Sequence, residues 1–189
     1  LQILQIWQGG MAFHGGFLGV VVVVWLYTRS EKLPLMRFAD FIALAAPIGL
    51  FFGRMANFIN NELWGRPADL PWAVNFPIPL ELQSLYPQVP RHPSQLYEGA
   101  LEGLVLFLVL FAALQIAAIR NRPGIITGLF MIGYGSARFF VEFFRQYQID
   151  RGLFFDWMTY GQLYSIPLIL VGLILVYFFA KRPLQQPAK

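Results

Sequence analysis

Cysteine is absent from the 189 residues, and histidine occurs only twice. No disulfide, thiolate metal site or thiol nucleophile can therefore belong to the chain itself. Charge is scarce as well. Only 13% of residues are charged, against about 25% in soluble domains, while 57% are hydrophobic. With 19 Phe and a mean hydropathy of +0.56, this composition excludes a disordered chain, a nucleic-acid-binding tail and an ordinary soluble enzyme. No aspartate-rich stretch is present to hold Mg²⁺, and no H-x-x-x-H spacing occurs. Metal-dependent phosphoryl transfer is thereby disfavoured, and neither metal nor cofactor is expected. The start lacks a basic n-region, so no signal peptide is read there. The first residue is Leu1 rather than Met, and a preceding portion is expected to be missing.

What the chain does have is long apolar runs. A transmembrane helix needs roughly 20 mostly apolar residues. Stretches at about 11–28, 38–53, 96–119, 125–144 and 160–180 qualify or come close. The expected fold is an all-α integral membrane protein with five transmembrane helices in a single membrane domain, 1–189. The second stretch is short and contains Pro47, which suggests a kinked or partly re-entrant helix. Residues 1–10 read as an interfacial segment. Between the second and third stretches, at about 60–94, lie Pro67, Pro71, Pro77, Pro79, Pro87, Pro90 and Pro93 with Trp64, Trp72 and Tyr86. Helix is disfavoured there, and a small extended or hairpin cap inserted on the outer surface is expected.

Five spans alternate sides, which sorts the charges. Arg29, Lys32, Arg37, Arg120, Arg122, Lys181, Arg182 and Lys189 share one side with the acids Glu31 and Asp40. The other side has Arg54, Arg66, Arg91, Arg138, Arg145 and Arg151, most of the acids and no Lys. The positive-inside rule makes the first side cytoplasmic, with the C-terminus. The net charge of +4 and pI near 9.6 thus reflect orientation in a bilayer rather than a nucleic-acid partner. Gly15/Gly19, Gly99/Gly103 and Gly124/Gly128 are GxxxG pairs, expected to serve close helix packing.

An ionisable residue at the centre of a span costs about 2.5–3.5 kcal/mol on insertion scales, so a function is its default reading. Four such groups appear. His14-Gly15-Gly16 opens the first span; the glycines allow a ligand near the backbone, and a helix N-terminus favours an anion. Arg54, Asn57 and Asn61 share a face if the second helix continues, and a guanidinium beside amides suits phosphate. Tyr134, Arg138 and Glu142 form one stripe on the fourth span, where Arg138 and Glu142 can pair. Glu98 and Glu102 repel at i, i+4 unless a cation such as Arg54 or Arg138 intervenes. Each has a plain structural alternative: a capping histidine, a snorkelling arginine, an ion pair that eases insertion. Arg145 reads as a headgroup contact and His92 as a loop residue. Topology gathers the four groups at one membrane face. The expectation is an outward-opening cationic cavity suited to an anionic phospholipid headgroup.

The string Gly53-Arg54-Met55-Ala56-Asn57-Phe58-Ile59-Asn60-Asn61-Glu62-Leu63-Trp64-Gly65-Arg66 closely resembles the signature of bacterial prolipoprotein diacylglyceryl transferases. His14-Gly15-Gly16, Arg91-His92-Pro93-Ser94-Gln95-Leu96-Tyr97-Glu98 and the segment Tyr134 to Arg145 resemble further motifs of that family, in the same order. Ala56 stands where the family usually has Gly. The resemblance implies a seven-helix enzyme of the bacterial inner membrane. This chain corresponds to the central and C-terminal part, without the first two helices and their functional tyrosine. The family transfers the diacylglyceryl group of phosphatidylglycerol to the lipobox cysteine of a prolipoprotein signal peptide. A thioether forms and glycerol-1-phosphate leaves, so the thiol is the substrate's. By the resemblance, His14 matches the motif histidine, a proposed base, with Gly15 and Gly16 beside it. Arg54 and Asn57 match the signature pair, and Glu62 and Gly65 further signature positions. Tyr134, Arg138 and Glu142 match the later helix. Arg54 and Arg138 match the arginines regarded as most critical.

The mechanism expected from charge is simple. A free thiol titrates near 8.5 and a histidine near 6.5. His14, or the field of two arginines, favours the reactive thiolate. The thiolate attacks the glyceryl carbon bearing the phosphate ester. Arg54 and Arg138 stabilise the departing phosphate, Glu142 holds Arg138, and Asn57 binds headgroup oxygens. Rival readings are a phospholipid or small-anion transporter and a non-catalytic membrane scaffold.

Overall fold

The computed structural model describes residues 13–146 and 158–184. The expected interfacial segment 1–10 lies outside the described residues, as do Asp150, Arg151, Asp156 and Lys189. All regular structure described is helical, and the only extended pairing is in isolated bridges. In chain order the helices are α1 (Phe13–Ser30), α2 (Leu35–Ile59), α3 (Ser94–Glu98), a π-helical segment (Gly99–Val105), α4 (Leu106–Gln115), α5 (Ala117–Arg120), α6 (Ile125–Val141) and α7 (Tyr160–Ala180).

Leu35–Ile59, the continuous run Ser94–Gln115 and Tyr160–Ala180 are each long and apolar enough to cross a membrane; Leu18–Ser30 and Ile125–Val141 are shorter apolar helices. Their apolar side chains face outward in quantity. Val23 is 64% exposed, Phe52 65% and Ile174 61%, which inverts the soluble pattern and suits contact with acyl chains.

The second helix corrects an expectation. It is neither short nor re-entrant: α2 runs unbroken over 25 residues through Pro47. Pro47 is buried against neighbouring helices, the setting in which a proline's lost hydrogen bond is tolerated in a span. The third helix starts at Ser94, changes to π winding at Gly99 and breaks at Ile116, whose ψ of 112° is extended. The fourth ends at Val141 rather than near 144.

Glycines set the closest helix contacts. A Cβ at Gly128 would lie 2.9 Å from the Gly172 carbonyl oxygen, and one at Gly135 would lie 2.7 Å from Ile169, so α6 and α7 cross almost backbone to backbone. A Cβ at Gly103 would sit 2.7 Å from Phe51 Cβ, which brings the π segment equally close to α2. Gly19 is different: nothing described lies within 4 Å of its Cβ position. Ala43, Leu106, Leu110 and Ile126 form the common core of α2, α4 and α6.

The proline-rich segment between α2 and α3 is folded but not a hairpin. It contains one 3₁₀ turn, Leu80–Leu82, and bridges pairing Pro67 and Val74 with Arg91. Gln88 donates to the Phe76 carbonyl and accepts from the Ile78 N–H, while Phe76 is buried edge-on against Phe58.

Candidate active site

Where the C-terminal part of α2, the start of α3 and the end of α6 meet, three arginines and three glutamates interlock. Arg54 Nε lies 2.7 Å from Glu98 Oε2, and its Nη2 3.4 Å from Glu102 Oε2. Arg138 Nη1 lies 3.3 Å from Glu98 Oε1 and 3.9 Å from Glu102 Oε1, while its Nη2 is 3.0 Å from Glu142 Oε2. Arg145 Nε approaches Glu98 Oε1 at 3.4 Å. Glu98 is thus the hub, touched by guanidinium groups from three places in the chain.

The geometry explains why two carboxylates tolerate each other one turn apart in an apolar helix. Arg54 and Arg138 each bridge Glu98 and Glu102, so the repulsion is cancelled from both sides. Burial is uneven. The Glu98 and Glu102 side chains are 1% and 0% exposed, whereas the three arginine side chains are 17–18% exposed. The carboxylates form the floor, and the guanidinium groups form a layer still partly open. Arg54 Nε, both Glu98 oxygens, Glu102 Oε1, Arg138 Nη1 and Glu142 Oε2 are buried and in ionic contact but lack an aligned hydrogen bond. The attraction is therefore largely Coulombic, and the directional donor capacity of the arginines is not used up. At the place of the expected cationic cavity the structure has three arginines and three glutamates, with the arginines as its more open layer.

Local sequence builds this arrangement. Gly99 and Gly103 let α3 and the π segment press onto Met55, next to Arg54, and Phe51, about one turn before it. Gly161, in the first turn of α7, leaves room for the Glu142 carboxylate, whose Cδ lies 2.6 Å from where a Cβ would be. Tyr134 stacks on Phe130 and lies within electrostatic range of Glu102 and Arg138. Beyond Arg54, Asn57 Oδ1 accepts from Arg54 Nη1 at 3.5 Å, and Asn57 Nδ2 donates to Glu62 Oε1 at 2.8 Å. Asn61 does not continue this face: α2 ends at Ile59, and Asn61 has a φ of 55°.

A second layer pins the proline-rich segment over the cluster. Gly65 donates to the His92 carbonyl, Arg66 N–H to the Phe144 carbonyl, and Arg66 Nε to the Arg145 carbonyl. A Cβ at Gly65 would meet the His92 and Phe144 carbonyl oxygens at 2.5 and 2.6 Å, so glycine is required there by close approach. Arg91 is fully buried and donates to Gly65 and Pro87 carbonyls and to Gln146 Oε1. Nearby, Trp72 Nε1 donates to the Tyr97 hydroxyl at 2.8 Å, and that hydroxyl lies 3.2 Å from His92 Nδ1. An indole is only a donor, so the Tyr97 hydroxyl accepts from Trp72, and its hydrogen is left for a neutral His92 whose Nδ1 is unprotonated. Burial pushes His92 below its ordinary value, in the same sense.

Of the residues singled out from sequence, Arg54, Arg138, Glu142 and Tyr134 meet at one place, with Asn57 and Glu62 alongside and Gly65 clamping the layer above. His14, Gly15 and Gly16 fall in the first turn of α1. The His14 side chain lies outside what is described, and Gly15 and Gly16 are exposed, with nothing described within 4 Å of the Gly16 Cβ position. Arg145 joins the cluster through Glu98 and stays as open as Arg54 and Arg138. Glu98 as hub and Arg91 as a buried pin are the residues that sequence reasoning undervalued. The acidic pair Glu98/Glu102 in an apolar helix was the available signal for the first; Arg91 carries none.

The family model described as prolipoprotein diacylglyceryl transferase matches residues 1–178. A phosphatidylglycerol–prolipoprotein diacylglyceryl transferase of Methylocella silvestris is 51% identical over 182 residues, covering 96% of this chain and 64% of that protein. Proteins of the same name from Rhodospirillum rubrum and Azospirillum brasilense are each 50% identical, covering 99% and 97% of this chain and 66% of their own lengths. The chain spans just under two thirds of the length of these curated relatives.

Proposed function

The chain belongs to the prolipoprotein diacylglyceryl transferase family, and from that premise we propose that it carries the headgroup-binding and catalytic arginines of a phosphatidylglycerol–prolipoprotein diacylglyceryl transferase. The observation that supports this most is the meeting of Arg54 and Arg138 on Glu98, with both guanidinium groups still partly open. Paired arginines with unspent donors, in a low-dielectric setting, are suited to the phosphate of an anionic lipid and to the charge that builds on it as it leaves.

The reaction follows from that placement. The lipobox cysteine thiolate attacks the glyceryl carbon that bears the phosphate ester. The C–S bond forms as the C–O bond breaks, and the electron pair leaves on glycerol-1-phosphate. Arg54 and Arg138 hold that phosphate before and during departure, Glu98 and Glu142 fix the two forks, and Asn57 binds headgroup oxygens. The thiol proton goes to a base for which His14, with Gly15 and Gly16, is the proposed group. No metal or cofactor is invoked.

In this reading the domain 1–189 crosses a bacterial inner membrane five times, at about 11–28, 38–53, 96–119, 125–144 and 160–180. The 60–94 insertion is a cap on the periplasmic side, above the arginines, and the C-terminus is cytoplasmic. Its partners are phosphatidylglycerol, the prolipoprotein signal peptide and the bilayer.

The test mixes the purified chain, alone and joined to the N-terminal portion found in its relatives, with labelled phosphatidylglycerol and a lipobox peptide. Thioether-linked lipid on the peptide, absent with a Cys→Ser peptide, is the expected result. Lipid movement without thioether formation, or no product from the joined protein, would overturn it in favour of a transporter or a scaffold.

A further inference from the structure

At the opposite end of the helices the charges are arranged differently. The turn before α2, the turn before α6 and the end of α7 enclose a cavity of about 250 Å³, lined by Pro34, Leu35, Met36, Arg122, Pro123, Phe179, Arg182 and Pro183. Its two cations are held from behind. Arg122 Nε donates to the Arg182 carbonyl at 3.0 Å and its Nη1 to the Ala118 carbonyl at 3.1 Å, which leaves Nη2. The Arg182 guanidinium sits 4.7 Å above the Phe179 ring. Neither arginine makes an ion pair among the described residues. Asp40, whose carboxylate reaches the turn before α6, is already engaged: it accepts from Gly124 N–H at 2.7 Å, and from Thr127 N–H and Oγ1 at 2.8 and 2.6 Å. Glu31, in the turn before α2, is exposed and makes no ion pair with either arginine among the described residues. The walls are stiff, since Pro34, Pro123 and Pro183 restrict three sides and Gly124, at φ 101°, closes the turn against Phe179.

We propose that this cavity is a second, non-catalytic anion site that takes the phosphate of an anionic phospholipid headgroup from the leaflet opposite the Arg–Glu cluster. Two guanidinium groups with no ion-paired carboxylate among the described residues, in a niche large enough for a phosphate ester, call for an anion. Niches of this kind between helices at a basic membrane face recognise lipid headgroups. The exposed apolar flank of α7, including Ile174 and Phe178, continues from the cavity and gives acyl chains a surface. Free phosphate shares the headgroup's chemistry but gains nothing from that flank.

Native mass spectrometry of the full chain released from detergent tests this, with phosphatidylserine as the anionic probe, phosphatidylcholine as the zwitterionic one and inorganic phosphate as competitor. The unaltered protein should retain phosphatidylserine about tenfold better than phosphatidylcholine, and R122Q/R182Q should bring the two within about twofold. Arg120→Gln, an exposed change just outside the cavity, should keep the preference. Millimolar inorganic phosphate should leave the adduct in place if the lipid is the ligand. Displacement by phosphate with no lipid preference would overturn the lipid assignment. Equal retention of the two lipids by the unaltered protein, or an undiminished preference in R122Q/R182Q, would overturn the site. Should the double variant not fold, R182Q alone, at an exposed side chain, must lower the preference by at least about threefold.

Discussion

The two polar ends of the helices handle arginine in opposite ways. At one end Arg54, Arg138 and Arg145 are each paired with Glu98, supplied by another part of the fold. At the other, Arg122 and Arg182 are held by backbone carbonyls and an aromatic ring, and the acid in that region is consumed by backbone N–H groups. The difference tracks depth. A guanidinium next to buried carboxylates inside helix packing needs its counterion from the protein, because none can come from water. One at a helix end can draw on solvent or headgroups. Pairing therefore marks the end where charge has been deliberately desolvated, and desolvated charge is where ionic chemistry is strongest.

The sharpest way to break this contrast is to delete one charge at each end. Arg138→Gln leaves Glu98, Glu102 and Glu142 short of a cation, which should destabilise the fold by about 3–5 kcal/mol. Thioether formation should fall at least about 100-fold. Arg120→Gln, on the far end, should leave the rate within about twofold. Equal losses in a lipidation assay would erase the distinction. Asp40→Asn comes next. It weakens three hydrogen bonds that hold the start of α6, and should lower the thermal midpoint by the equivalent of about 1–3 kcal/mol while changing the rate less than about threefold. A rate loss like that of Arg138→Gln would mean that the far end takes part in the reaction.

Smaller effects sharpen the picture within the paired end. Arg145→Lys keeps the charge opposite Glu98 and loses only the planar fork, so its rate should fall less than about fivefold. Lys at Arg54 or Arg138, where each fork spans two carboxylates, should cost several times more. The smallest effect is on pH. His92 is held below its ordinary value by burial, so the unfolded chain takes up that proton first. Its contribution to stability is then complete above about pH 6.5 and is lost as pH falls below that. The thermal midpoint of the protein should drop between pH 7 and pH 5, and drop less steeply in His92→Gln. Parallel curves would remove His92 from the Trp72–Tyr97 chain.

How much of this was readable beforehand depends on the kind of interaction. Tyr160–Ala180 was legible to the residue, because an unbroken apolar run bounded by Thr159 and Lys181 determines its own limits. The pairing of Glu98 and Glu102 with cations was legible from repulsion alone. The continuity of α2 through Pro47 was not, because it depends on neighbours that tolerate the lost hydrogen bond. Nor was the departure of Asn61 from the helix face, which hangs on a left-handed turn at a non-glycine residue. The pairing of Arg145 with Glu98 was not legible, because periodicity says nothing about the turn after Val141 that places it there. Gly65 was marked by resemblance; the physical need for it, two carbonyls pressed against its Cα, exists only in three dimensions.

The π-wound stretch Gly99–Val105 has a consequence for how such a protein tolerates change. It sits between Glu98 and the anchoring residues Leu106 and Leu110, and works like a gear with one tooth more than its neighbours. Deleting one residue there, Ala100 for instance, would let ordinary α winding resume with the phase kept, whereas winding the same residues as α would turn everything upstream by about 100°. Glu98 would then face acyl chains instead of three guanidinium groups, with no charged residue altered. Which ions meet is set by helical phase as firmly as by side-chain chemistry, and a change of winding with every residue kept would unmake the cluster as surely as any charge reversal.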